Sequence, residues 1–331
     1  VTDLLGVAVC GTGNAGVEHL REFAALPNAE VRAIVDLDLD RAASVAHDLG
    51  LDCPVYASLS DTFAGSPVDA VVVASPNDVH ASMTVEAVRH GAHVLLEKPA
   101  AITHDDLDLI LEEVRRAGVL CQVNMILRWH PMIEAIVGAR DAGNLGEIFC
   151  VEADFVFGEI EGSEPDWART VARGGNVHLY AGCHAYDQLE WLAGSRITEV
   201  SAVSTRRRSK WEYDVTACTI VRFANGAIGR ATITLEASAP YRFGIRVMGT
   251  KGTVVDNTIC IPARGAAHFD DLCPERVDVT YLPFDRVAAD FTLNALERHD
   301  SHAALEHTAD LFRLALDSER AAQRGEVVKR T

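Results

Sequence analysis

Short apolar runs alternate with amphipathic stretches over the first 124 residues, and the rhythm changes after them. Leu5–Cys10 is an apolar, β-rich run that passes at once into a glycine-rich turn. Val17–Phe23 follows, with apolar residues at helical spacing. Glu30–Val35 reads as a second strand, Asp40–Leu49 as a helix, Val55 and Tyr56 as a short strand, and Ser60–Ala64 as a short helix. Val68–Ala74 is a buried fourth strand, and His80–Arg89 is the helix after it. Val94, Leu95 and Leu96 make a fifth strand, bounded by Gly91 and Pro99. Thr103–Arg116 reads as a helix with Thr103 as N-cap and Asp105 and Asp106 in its first turn, where negative charge is favoured. Val119–Asn124 closes the series. Apolar strands separated by helices and short loops predict a doubly wound parallel sheet, a Rossmann-type α/β domain.

After residue 124 the strands follow one another without helices between most of them. Arg128–Arg140 reads as a helix with Pro131 in its first turn, and Gly143–Gly146 as a loop. Ile148–Phe157 is a long β-rich run, and shorter ones recur at Thr198–Ser204, Thr216–Phe223, Ala227–Leu235, Arg242–Met248 and Thr253–Asp256. Asn225-Gly226 is a hairpin signal between two of them, and Gly249–Gly252 marks another turn. Such a run predicts a large, mostly antiparallel open sheet in an α+β domain. One helix, about Leu179–Leu192, interrupts it after Gly174-Gly175-Asn176. A terminal helix covers Leu293–Arg324, with a break near His299–Ser301. A chain of 331 residues exceeds most single cores. The expected division is a dinucleotide-binding domain over 1–123 and a substrate and oligomerisation domain over 124–331.

The turn after the first strand carries the first chemistry. Gly11-Thr12-Gly13-Asn14-Ala15-Gly16 is G-x-G-x-x-G between a strand and a helix. Gly11 allows the tight turn, Gly13 lets backbone approach a diphosphate, and Gly16 lets helix and strand pack closely. The diphosphate would sit on unpaired N–H groups at the helix N-terminus. Asp36 ends the second strand, twenty residues after Gly16. A carboxylate there accepts hydrogen bonds from the adenosine ribose hydroxyls and repels a 2′-phosphate. No arginine follows it directly, so NAD is expected over NADP. In open α/β sheets ligands bind beyond the carboxyl ends of strands. That places Ser75-Pro76-Asn77 with His80, and Glu97-Lys98-Pro99, where a cofactor and a reacting group meet. The Lys98–Pro99 bond is a candidate for the cis form.

These motifs together resemble the glucose-fructose oxidoreductase, inositol dehydrogenase and MocA (Gfo/Idh/MocA) family. The signals are the glycine turn with its later acid, Ser75-Pro76-Asn77-x-x-His80, Glu97-Lys98-Pro99 and Arg128-x-x-Pro131, in that order. The resemblance extends through Gly182-x-His184-x-x-Asp187 to Trp191-Leu192, and so covers nearly the whole chain. It implies a dehydrogenase acting on a sugar, cyclitol or glycoside, with Asn77 near the nicotinamide, the catalytic histidine mapping onto His184, and oligomers formed through the open sheet, as a homodimer or homotetramer. Many members that oxidise cyclitols carry an aspartate four residues before that histidine, where this chain has Tyr180. A tyrosine still hydrogen-bonds a hydroxyl but is not ionised near neutral pH.

Oxidation of a secondary alcohol needs a proton acceptor beside the hydride acceptor. A histidine titrates near neutral pH unshifted, whereas a lysine serves only where burial or positive charge lowers its pKa. Lys98 and His184 are therefore the expected proton-handling pair, in either order, with Tyr180 beside them and Glu97 orienting Lys98 or meeting a ribose. Tyr180, His184, Asp187 and Trp191 fall at helical spacing on one face. Arg128, Trp167, Arg169, His178 and Tyr241 are candidates to line a sugar pocket, with Trp167 stacking on a ring. Arg206-Arg207-Arg208 with Lys210 is a basic loop able to take an anionic substituent.

Two further enzymatic or sensing roles share these residues. One uses tightly bound NAD transiently, in oxidation–elimination or epimerisation. The other is a nonenzymatic sugar or redox sensor, against which Lys98 and His184 argue.

The net charge of −18 argues against nucleic acid and anionic membranes as partners. No apolar run is long enough to span a bilayer, and Val1–Leu4 do not open a secretory signal. Eight cysteines without a C-x-x-C pair read as reduced residues of a cytoplasmic protein. The histidine spacings match no zinc site, so no metal is expected.

Overall fold

A computed structural model describes residues 4–158, 165–207, 210–262, 268–273, 278 and 280–330. The chain forms two compact units, Val1–Asn124 with Pro283–Asp310, and Met125–Leu282 with Leu311–Thr331.

The first unit is built on six parallel strands: β1 (Leu5–Cys10), β2 (Ala29–Val35), β3 (Val55–Tyr56), β4 (Ala70–Val73), β5 (His93–Leu96) and β6 (Cys121–Val123). Their order is β3-β2-β1-β4-β5-β6, so the chain reverses direction across the sheet between β1 and β4. β1 and β4 are buried along their whole length, as apolar runs covered on both faces must be. Helices α1 (Asn14–Ala25), α2 (Leu39–Asp48), α3 (Leu59–Gly65), α4 (His80–Arg89) and α5 (His104–Ala117) connect them. Thr103 caps α5 by accepting from the Asp106 N–H, and the helix closes on Gly118 at φ +66°.

The second unit opens with α6 (Pro131–Asp141), which starts at Pro131. Arg128 and Trp129, read from sequence as the start of that helix, belong to a separate 3₁₀ turn, Ile126–Trp129. Proline has no N–H to give and fits the first helical position, so it starts a helix better than it continues one. After β7 (Ile148–Gly158) come the one-turn α7 (Val171–Gly174), a π turn over His178–Gly182, and α8 (Cys183–Ala193). The sheet is completed by β8 (Ile197–Thr205), β9 (Thr216–Phe223), β10 (Ile228–Ala237), β11 (Arg242–Gly249), β12 (Thr253–Val255), β13 (Thr258–Cys260), β14 (Asp270–Asp271) and β15 (Val328–Lys329). Its nine strands run β14-β13-β12-β11-β7-β10-β9-β8-β15, antiparallel except for β7 against β10. Asn225 and Gly226 turn β9 into β10, with Gly226 at φ +87°. β9 alternates strictly, with Ala217, Thr219, Val221 and Phe223 inside and Cys218, Ile220 and Arg222 outside. One face of this sheet therefore carries core and the other lies open.

The terminal helix is broken where the sequence places the break, into α9 (Phe284–Glu297) and α10 (Leu305–Arg324), with Arg298 at φ +56° ending the first, but it begins nine residues earlier than its sequence reading. Pro283–Asp310 also belongs to the first unit, whereas the sequence boundary at 124 had assigned it to the second. The physical cause is the apolar stripe Val287, Ala288, Phe291 and Ala295 on α9. Phe291 meets Phe23 of α1 edge-on, with ring centroids 6.2 Å apart.

Candidate active site

The glycine turn after β1 uses its three glycines differently. Gly11 adopts φ +98°, and a side chain there would strike the Ala74 carbonyl at the end of β4. A side chain at Gly16 would drive into the Gly11 carbonyl. Gly13 has ordinary extended backbone, φ −76° and ψ −174°, and a Cβ built on it meets nothing within 4 Å. Gly13 is the N-cap of α1, which has neither a side-chain cap nor an acid in its first turn. Its first N–H donors and the open space above Gly13 suit a diphosphate. Gly13→Val replaces a good N-cap residue by a poor one and is expected to cost only about 1 kcal/mol of stability, yet to weaken NAD binding. Gly16→Ala is expected to cost about 1–3 kcal/mol of stability. Melting curves and NAD titration check both, and an unaltered NAD affinity in Gly13→Val would contradict the reading.

At the end of β2, Asp36 is held from three sides. The Thr12 backbone N–H and hydroxyl donate to Oδ2 at 2.8 and 2.6 Å, and the Asp38 N–H donates to Oδ1 at 2.9 Å. Arg41 on α2 places Nη2 2.8 and 2.9 Å from the two carboxylate oxygens and donates from Nε to the Thr12 hydroxyl at 3.0 Å. Burial pushes the Asp36 carboxyl upward, but these donors outweigh it and hold the group below its usual value. Arg41 was missed from sequence because only the residue directly after Asp36 was considered. A turn of helix brings the fifth residue back.

The loops after β4 and β5 are tied together by one imidazole. His80 is buried, with Nδ1 2.7 Å from the Pro99 carbonyl oxygen and Nε2 2.9 Å from that of Ser75. It joins the Ser75-Pro76-Asn77 turn to the Glu97-Lys98-Pro99 turn, where the Lys98–Pro99 bond is cis. Asn77 is buried, and Lys98 is half-buried. Glu97 lies beneath them. Its Oε1 is 2.9 Å from His19 Nε2 and accepts from Asn124 Nδ2 at 2.6 Å, while Oε2 accepts from the Lys98 N–H at 3.2 Å. Burial would raise the Glu97 pKa. Hydrogen bonding and charge from His19, then the Lys98 charge and Asn124, override it and bring it down to about 2. Glu97 thus orients the backbone at Lys98. His19 and Asn124 were missed. The one sequence signal was a histidine among the inward residues Gly16, Leu20 and Phe23 of α1.

In the second unit the expected single stripe on α8 splits. Tyr180 lies in the π turn, whose wider winding rotates it off the α-helical register of His184. Tyr180 meets Trp167 and Trp211, at centroid distances of 6.5 and 6.1 Å. His184 is buried and stacks on Phe155 at 5.2 Å, and Phe155 in turn meets Tyr241 at 5.4 Å. Asp187 and Trp191 share a different neighbour, Arg128. Arg128 donates from Nε and Nη2 to the Asp187 carboxylate at 3.0 and 2.5 Å, and its guanidinium lies 4.4 Å over the Trp191 ring. His178 is fully buried beside the Tyr186 hydroxyl at 2.5 Å, and burial lowers its pKa to about 3. Trp167 and Arg169 lie on a 3₁₀ turn, Asp166–Arg169. Arg208 of the basic loop lies outside the described residues. Arg206 donates to the Trp211 carbonyl, and the Arg207 N–H to Glu236 at 3.1 Å. Among the described residues, no group of three or more His, Cys, Asp or Glu side chains could hold a metal ion.

Residues 5–125 match the family model described as an oxidoreductase family with an NAD-binding Rossmann fold, and residues 134–255 match the GFO/IDH/MocA C-terminal domain. The chain is 28% identical over 262 residues to scyllo-inositol 2-dehydrogenase (NAD(+)) of Bacillus subtilis, covering 76% of this chain and 73% of that one. It is 30% identical over 255 residues to inositol 2-dehydrogenase 3 of Saccharopolyspora erythraea, covering 75% and 72%. In fold it resembles levoglucosan dehydrogenase solved with NADH, at a TM-score of 0.90, 19% identity and 99% coverage of both chains.

Proposed function

The chain belongs to the GFO/IDH/MocA oxidoreductase family, and from that membership we propose that it is an NAD-dependent dehydrogenase of a secondary hydroxyl on a sugar, cyclitol or glycoside. The observation that carries this reading is the carboxyl edge of the parallel sheet. The diphosphate turn follows β1, the ribose acid Asp36 follows β2, the Asn77 turn follows β4, and Lys98 follows β5. Gly11–Gly16, with Thr12, Asn14 and Ala15, and Asp36 hold the dinucleotide, and Ser75, Pro76, Asn77, His80 and Glu97 shape its nicotinamide end. NAD, when bound, supplies the hydride acceptor.

The chain's own contribution is positioning and proton transfer. Lys98 carries its ammonium on a backbone fixed from below by Glu97 and from the side by His80. That rigidity is what a catalytic group needs, since small misplacements cost large factors in rate. Lys98 Nζ polarises the reacting oxygen, and a ring nitrogen of His184 takes its proton. Phe155, stacked on the imidazole, fixes the ring plane. Tyr180 and Trp167 contribute hydrogen bonding and an aromatic face to the sugar. Assembly into homo-oligomers uses the open face of the nine-stranded sheet, where Val203 of β8 and Ile220 of β9 are 68% and 67% exposed.

The test is formation of NADH against a panel of free sugars, cyclitols, sugar acids and glycosides, with NADP in parallel. A rate with NAD that disappears in His184→Ala supports the dehydrogenase and names its substrate class. Silence across the panel, with NAD retained by the purified protein, would replace it by an enzyme that recycles its cofactor in place or by a nonenzymatic sensor.

A further inference from the structure

Arg169 is a cation of this acidic protein with a buried hydrogen-bonding edge. Its side chain is 14% exposed, and Nη1 donates to Asp166, itself fully exposed, at 3.0 Å. Among the described residues, Nε and Nη2 of Arg169 are both buried and have no hydrogen-bond partner. Those two nitrogens form one edge of the guanidinium, a planar fork whose two N–H vectors match a carboxylate. The same protein uses that edge for this purpose twice. Arg89 presents Nε and Nη2 to the two oxygens of Glu113, each at 3.0 Å, and Arg128 presents its own to Asp187. Asp166 takes only Nη1 of Arg169, and among the described residues its Nε–Nη2 edge meets no acid.

The backbone that carries Arg169 is held still. The Tyr213 hydroxyl donates to the Ala168 carbonyl at 2.7 Å, the Glu212 N–H donates to the Arg169 carbonyl at 2.9 Å, and Glu212 accepts from the Val171 N–H at 2.9 Å. Trp167, two residues before, meets Tyr180. A buried guanidinium with an empty edge is costly unless something polar arrives to fill it. A net charge of −18 also repels an anionic substrate at long range, so such a substrate needs a fixed cation to receive it.

We infer that Arg169 is a specificity-determining residue that binds a carboxylate, so that the favoured substrate is a sugar acid, a uronic or aldonic acid, rather than a neutral polyol. This rests on the dehydrogenase reading only for the reaction, not for the binding. The experiment uses the full chain with saturating NADH. D-glucuronate, D-galacturonate and D-gluconate are titrated by calorimetry against D-glucuronamide, D-galactose and myo-inositol, and turnover with NAD is followed in parallel.

At least one acid is expected to bind about 30-fold or more tightly than its neutral counterpart, as a charged bidentate pair allows. That preference is expected to collapse in Arg169→Gln and to fall partway in Arg169→Lys, which keeps the charge and loses the fork. Circular dichroism and NADH affinity show that the variants are folded. Acids that bind no better than neutral counterparts, or a preference unchanged in Arg169→Gln, overturn the inference. Turnover of neutral polyols with no acid preference would do so while leaving the dehydrogenase standing. Acid binding that depends on Arg169 without NADH formation would support the site and remove the dehydrogenase.

Discussion

Lys98→Met is expected to lower kcat by about 10²–10⁴-fold, the range that a positioned proton-transfer group supplies. NAD affinity should change by less than about threefold, well under one pKa unit's worth of energy. The two effects are expected to separate because the proposed diphosphate and ribose contacts lie elsewhere on the same sheet edge. Thr12 and Asp36 follow β1 and β2, and the diphosphate donors belong to α1. The buried support also stays in place, because Glu97 binds the Lys98 backbone N–H and not only its charge. His19 and Asn124 continue to satisfy the carboxylate after the ammonium is gone. Methionine keeps the length of the stem, so packing changes little. The measurements are steady-state rates on the substrate found in the panel, and NAD titration by fluorescence. Equal losses of turnover and NAD affinity would make Lys98 a cofactor ligand and not a proton-transfer group.

Asp36→Ser is expected to exchange the cofactor preference. In the native chain Arg41 is engaged by the Asp36 carboxylate, so this nearby cation is neutralised and a 2′-phosphate would meet a negative charge. Removing the carboxylate deletes the ribose acceptor and leaves Arg41, 54% exposed, beside the position a 2′-phosphate would take. Each change is worth one charge-assisted hydrogen bond or more, about 10–100-fold in affinity. NAD binding should weaken by that factor and NADP binding improve by a similar one. The double variant Asp36→Ser with Arg41→Ala should lose the NADP gain but not the NAD defect. Both are read by direct titration with NADH and NADPH, independent of any substrate. An unaltered ratio of the two affinities in Asp36→Ser would remove Asp36 from the ribose site.

Much of the fold was readable from local pattern. The six strands and their helices follow from apolar runs, glycine turns and caps. Each depends on a few neighbouring residues, as with Thr103 at the start of α5 or Asn225-Gly226 between β9 and β10. The glycine turn, the acid twenty residues on and the Glu-Lys-Pro triplet were visible for the same reason, because the chemistry they serve demands fixed spacing. The sequence by itself therefore determined the six parallel strands with their helices and the change to consecutive strands after residue 124. Only the tertiary structure decided which polar side chains are already engaged. Arg41 closes on Asp36, Arg128 is engaged by Asp187, and His80 bridges the Ser75 and Pro99 carbonyls of two separate turns. Likewise the π turn moves Tyr180 away from His184, and α9 returns to α1 through Phe291 and Phe23. The physical reason is range. Periodicity and turn chemistry act between neighbours in the chain, whereas charge pairing and burial depend on partners that only the fold brings together.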